Sequence, residues 1–162
     1  MQTPPDTSDP VVNTDGRQSP TAAAIQRGVC RMLSQAGFSS IAELSLSTGR
    51  RVDILAINPK GKIWIVEIKS SPADYLSDHK WRDYMAFCDR FYFAIPRDMD
   101  AGLVDETAGL IIADAWGAAI MRGASETTLV AARRKAVTLL MARTAAQRLQ
   151  SAADPMNDIL TR

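Results

Sequence analysis

The sequence predicts a mixed α/β domain, and three observations carry that expectation. Apolar residues recur at helical spacing near each end of the chain, as Ala24, Ile25, Val29, Met32 and Leu33 and again as Val130, Val137, Leu140 and Met141. Between them lie short runs rich in Val, Ile, Phe and Tyr, bounded by Gly, Pro and Asn, which read as strands. At 162 residues and 46% apolar composition, the chain can bury one substantial core, so one domain is expected.

Residues 1–19 are rich in Pro, Thr, Ser and Asp without apolar periodicity and read as a disordered tail. Ser19-Pro20 is a helix start, with Ser as the cap and Pro in the first helical position, and Gly37 ends that helix. Residues 42–46 form a first strand, and Ser47-Thr48-Gly49 suits a hairpin loop with Gly in the left-handed position. Residues 51–57 and 63–69 are the next two strands, joined by Asn58-Pro-Lys-Gly-Lys62. Ser71-Pro-Ala-Asp74 caps a second helix expected to run to about Cys88. Residues 90–95 are a strand stopped by Pro96, and the strand–helix–strand path implies a parallel pair with a right-handed crossover. Short strands at 110–113 and 118–121 flank Trp116-Gly117, and a last helix spans about 128–150. The domain is therefore 20–150, followed by a C-terminal tail at 151–162.

Composition excludes several classes. No apolar run approaches the roughly 20 residues of a membrane span, and the first residues show no secretory pattern. Cys30 and Cys88 are too few for a disulfide or zinc framework, so a reducing cytoplasm is expected. One histidine, His79, leaves no His-based triad or His-rich metal site. Net charge is +1, but the two tails hold two basic and five acidic residues, leaving 17 basic against 13 acidic between them. Net charge by itself argues nothing about nucleic acid, and the middle of the chain carries a mild positive bias.

The chemistry concentrates at Arg51-Val-Asp53 and Ile65-Val-Glu67-Ile-Lys69. If Ile57 pairs with Ile63, counting back along both strands sets Asp53 opposite Glu67, with Cβ atoms about 4.5–5.5 Å apart on one face. Lys69, two residues on, points to the same face. Two carboxylates that close repel unless a cation lies between them, so the set suggests a divalent-metal hydrolytic site. Mg²⁺ or Mn²⁺ keeps several waters, so Asp53 and Glu67 suffice as protein ligands. The alternative is a solvated charged face of an amphipathic hairpin, although Leu55 and Ile65 share that face.

An Asp followed some ten to twenty residues later by Glu-x-Lys, both on strands, resembles the PD-(D/E)xK nuclease superfamily, with Val52-Asp53 in place of Pro-Asp. The longer run through Asp74, Lys80-Trp-Arg-Asp-Tyr84 and Cys88-Asp-Arg-Phe-Tyr-Phe93 is similar to the MmcB-like DNA repair protein family over about residues 22–148. The resemblance implies a restriction-endonuclease-like core, a mixed central sheet with flanking helices in the order helix, three strands, helix, strand. It implies a metal-dependent nuclease of DNA repair, with Asp53, Glu67 and Lys69 catalytic and Glu43 a candidate third carboxylate. The hairpin register would set Glu43 across from Asp53. The alternative is a catalytically silent nuclease fold that binds DNA or recruits another repair protein.

DNA contacts are expected from Arg50 and Arg51 beside the site. Lys80 and Tyr84, a helical turn apart, stand where some branches carry a DNA-contacting Gln-x-x-x-Tyr; here Lys80 replaces the Gln. The last helix adds Arg133 and Arg134 in a stretch, 131–150, without an acid. The plain alternatives are a core Tyr beside a long surface Lys, and a solvated basic face over an apolar stripe. A third reading is an interaction protein whose 110–121 region and last helix form a homodimer interface; cutting both strands would also favour a dimer. The expected setting is the cytoplasm, at the nucleoid, with no membrane partner. The sequence leaves the DNA structure and the mode of cutting open.

Overall fold

The computed structural model describes residues 18–156, so of the expected tails at 1–19 and 151–162 all but residues 18–19 and 151–156 lie outside the described residues. Helix α1 (Pro20–Gln35) begins as expected: the Ser19 hydroxyl accepts the Ala22 N–H at 3.1 Å, and Pro20 fills the first helical position, where no partner for its nitrogen is needed. It ends at Gly37, whose φ of 82° suits a residue without Cβ. Its buried stripe is Ile25, Val29 and Leu33.

Six strands follow: β1 (Ser39–Ser45), β2 (Arg51–Ile57), β3 (Ile63–Ile68), β4 (Arg90–Ile95), β5 (Gly109–Ala113) and β6 (Ala118–Arg122). They form one sheet in sequence order. The pairs β1–β2, β2–β3 and β5–β6 are antiparallel, while β3–β4 and β4–β5 are parallel. The β2–β3 turn is built by Asn58, whose side-chain oxygen accepts the N–H groups of Lys60 and Lys62, with Gly61 at φ 75°. That turn pairs Ile57 with Ile63. The mixed α/β class and the order helix, three strands, helix, strand are those the sequence predicts.

Two differences matter for the site. The helix expected over 71–88 divides into α2 (Pro72–Ser77), an extended Asp78, and a 3₁₀ stretch Trp81–Phe87. Asp78 leaves the helix because its carboxylate is held by Lys69 on one side and the Lys80 N–H on the other. Lys80 and Tyr84 therefore do not share an α-helical face. The last helix, α3, spans Ala131–Ala153, three residues later at its start and three beyond the expected end.

One core lies between the sheet and α1, containing Ile54, Ala56, Val66, Ile68 and Tyr92. The other lies beneath the 3₁₀ stretch and α3 and contains Leu55, Ile65, Trp81, Phe91, Phe93, Val137 and Met141. Ile41 and Leu44 both belong to this second core, as do Val52 and Leu55. The two-residue alternation thus breaks at Glu43 and Asp53. Glu43 adopts φ 53°, while its neighbours keep register: Ala42 pairs with Ile54 and Leu44 with Val52. No described helix is long and apolar enough to cross a membrane.

Candidate metal and nucleic-acid site

The β2–β3 ladder ends at Ile54–Val66, one step short of the acidic pair. Beyond it, the carboxylates replace backbone carbonyls as acceptors. Glu67 Oε1 accepts the Asp53 N–H at 3.0 Å, and Asp53 Oδ2 accepts the Ile68 N–H at 2.8 Å. Each carboxylate is thereby oriented by the opposite strand, and a second oxygen on each remains as a hard donor. Glu67 is only 5% exposed. Burial, reinforced by the charge of Asp53, raises its pKa well above the ordinary carboxyl value, and burial raises Asp53 as well.

Lys69 does not discharge this pair directly. Its ammonium, 7% exposed as a residue, bonds Asp78 at 2.8 Å. Burial presses the Lys69 pKa down, but the bonded Asp78 carboxylate, with Asp74 and Glu67 behind it, outweighs burial and leaves it raised. Asp78 shows the reverse balance: burial lifts it, while Lys69 and the amides of Lys80 and Trp81 bring it below the ordinary value. Asp74 stands at the same end, where its carboxylate accepts the Ser70 N–H and hydroxyl.

The donor set fits a hard divalent cation: two mutually repelling carboxylates, both raised by burial, whose adjacent ammonium is engaged elsewhere. The set is small, since among the described residues no group of three or more His, Cys, Asp or Glu side chains is placed to hold a metal. Two carboxylates suffice for an ion that retains its waters.

The remaining expected residues divide into those at this site and those away from it. Arg51 pairs loosely with the exposed Glu43 at 3.7 Å, and Tyr84 donates its hydroxyl to the Arg51 carbonyl at 3.3 Å. Burial, with the charges of Glu67, Asp78 and Asp53, pushes the Tyr84 phenol up to about 12. Arg50 bonds Asp83 at 2.8 Å, and Lys80 is exposed where the 3₁₀ stretch begins. Glu43 departs from the expected register. Its left-handed backbone takes it out of the ladder, its carboxylate pairs with Arg51, and its carbonyl accepts Arg148 at 2.8 Å. Arg133 lies over the Phe87 ring, 4.4 Å from its centroid. Arg134 is turned inward, contrary to the expected phosphate contact. It forms a two-pronged pair with Asp89, both bonds 2.7 Å, and also bonds the Gly61 carbonyl.

Asp78 is the residue that sequence reasoning missed. It was legible as an acid one turn after Asp74, but the helix macrodipole explains such acids as well, and nothing local pointed to Lys69.

A family model described as "DNA repair protein MmcB-like" matches residues 9–156. No curated protein matches the chain. A solved structure of a protein of unknown function from Silicibacter pomeroyi is 42% identical, with the match covering 86% of this chain and 95% of that one at a TM-score of 0.82.

Proposed function

The chain belongs to the MmcB-like family of DNA repair proteins, and from that membership we propose that it acts in DNA repair as a metal-dependent hydrolase of DNA phosphodiester bonds. The observation carrying the reading is the backbone-oriented Asp53–Glu67 pair, both raised by burial and Glu67 further by the charge of Asp53. Asp53 and Glu67 would hold Mg²⁺ or Mn²⁺, which when bound would polarise the phosphoryl oxygen and acidify water. Lys69, steadied by Asp78, orients the attacking water or offsets charge on the phosphoryl oxygens. Arg50, Arg51 and Lys80 surround this end of the sheet with cations for phosphate. The element order and the Asp…Glu-x-Lys set support the PD-(D/E)xK placement.

A DNA-binding protein without hydrolysis is the second reading. What favours it is that Lys69 is already paired and that, among the described residues, no group of three or more His, Cys, Asp or Glu side chains is placed to hold a metal. Labelled DNA structures (nicked, flapped, mismatched, branched and single-stranded) incubated with Mg²⁺ or Mn²⁺ separate the two. Wild type is compared with Asp53→Asn. Cleavage lost in the variant supports the hydrolase; no cleavage with DNA binding intact replaces it with the second reading.

A further inference from the structure

Strands β3, β4 and β5 run parallel, so their C-terminal ends lie along one edge of the sheet. Lys69 follows β3, Arg97 follows β4, and the Asp114–Gly117 hairpin follows β5. Trp116 at that hairpin tip is 81% exposed, the most exposed large apolar side chain described, while Trp81 is buried and Trp64 packs on Phe38 and Tyr92.

The tip is rigidly built. Asp114 Oδ1 accepts the N–H groups of Trp116 and Gly117 at 2.8 and 3.0 Å, and Arg31 donates to the carbonyls of Ala115 and Trp116. Gly28 of α1 comes so close that a Cβ there would lie 2.0 Å from the Asp114 carbonyl oxygen. An indole carried on this well-held turn and facing water leaves a large apolar area unburied, which soluble domains tolerate as single residues and use where a ligand covers it.

Beside the indole runs an open groove of about 680 Å³ lined by Arg97, Ile112, Ala119 and Met121. Ile112 packs against the core beneath α3 and the 3₁₀ stretch, so the groove lies on the same sheet face as Leu55 and Ile65, which flank the carboxylates. Arg97 is highly exposed and gives one nitrogen to Asp114 at 3.2 Å, leaving other donors outward.

We propose that Trp116 and the Arg97 groove form a second DNA subsite, the indole stacking on an unpaired base while Arg97 contacts an adjoining phosphate. Every base has a π-face, so stacking is sequence-tolerant but demands a base freed from its pair. Adjacent strands lie about 4.8 Å apart, which sets the end of β5 about 10 Å from that of β3. Single-stranded DNA anchored at the carboxylates reaches the indole, about 10 Å away, within a few nucleotides. The substrate class is therefore DNA carrying an unpaired strand rather than intact duplex. This deepens the hydrolase reading and rests on DNA being the ligand of the carboxylate end.

The test is binding of fluorescein-labelled oligo(dT) and of a blunt duplex, both in EDTA, by wild type, Trp116→Ala, Trp116→Phe and Arg97→Ala. Expected are quenching of indole fluorescence by oligo(dT), about tenfold weaker oligo(dT) binding in Trp116→Ala, substantial rescue by Phe, and unchanged duplex binding. Undiminished oligo(dT) binding by Trp116→Ala overturns the proposal. So does light scattering that shows Trp116→Ala converting a dimer to monomers while DNA affinity holds, since the indole then serves a protein interface. EDTA makes these outcomes independent of hydrolysis: absence of cleavage alone removes the hydrolase, whereas absence of any DNA binding removes both readings.

Discussion

Glu67 accepts the backbone N–H of Asp53 through its carboxylate, while Asp53 reaches past it to the N–H of Ile68. The two acids thus stand in for one rung of the β2–β3 ladder, and each fixes the other's strand. Replacing either by Ala would orphan an amide as well as delete a ligand, so Asn and Gln are the informative substitutions.

Glu67→Gln is expected to stabilise the metal-free protein at neutral pH. The amide oxygen still accepts the Asp53 N–H, while the repulsion with Asp53 disappears. A carboxyl raised in the folded state contributes stability below its unfolded pKa, near 4, and loses it as pH rises through the folded value. The gain should be of order 1 kcal/mol, a few degrees in Tm, and should shrink toward pH 4. Thermal melts in EDTA across pH 4–8 check this; a lower Tm at pH 7 would contradict the assigned repulsion.

Mg²⁺ or Mn²⁺ should raise the Tm of the wild type and not that of Asp53→Asn. Anything that binds only the folded state stabilises it by mass action. Equal shifts in the two proteins would place the cation elsewhere.

Asp78→Asn should slow cleavage about 10- to 100-fold with the affinity for Mn²⁺ retained, the usual cost of losing a partner that orients a site residue. The reason is the 2.8 Å bond that holds the Lys69 ammonium. An unchanged rate, or a loss of metal affinity, would remove Asp78 from that role.

Arg134→Ala is expected to destabilise the fold by about 3 kcal/mol, since it leaves Asp89, 1% exposed, without its counter-charge. Burial lifts the Asp89 carboxyl, but its bonds to Arg134 and the amides of Ile63 and Leu129 bring it down to about 2. A depressed carboxyl stabilises above its unfolded pKa, near 4, and loses that contribution as pH falls through about 2. Urea melts at pH 7 and pH 2.5 should show the wild-type advantage narrowing in acid. DNA affinity per folded molecule should hold in this variant and fall in Arg51→Ala; the reverse order would return Arg134 to the DNA surface.

Gly28→Ala should cost about 1–3 kcal/mol, because the added Cβ meets the Asp114 and Gly117 carbonyls where α1 seats the Trp116 hairpin. A stability equal to wild type in thermal melts would show that the hairpin gives way freely.

By itself the sequence determined what depends on neighbours along the chain. Ser19-Pro20 and Gly37 bounded α1, and Pro96 stopped β4. The Asn58–Lys62 turn set Ile57 against Ile63, and that register runs to Ile54–Val66, next to the Asp53 and Glu67 that counting sets opposite each other. These are short-range matters of backbone conformation and two-residue alternation, and a few adjacent residues fix them. Tertiary structure decided which charges meet. Whether Arg134 faces DNA or Asp89, 45 residues away, depends on how α3 lies over the β2–β3 turn. Glu43 left the expected face because the hairpin bends there, opening a carbonyl to Arg148 from 105 residues on. Asp78 broke its helix for Lys69, since a buried ammonium without a partner costs more than an interrupted helix turn. Local rules set the order and register of the elements, and only packing in three dimensions paired their buried charges.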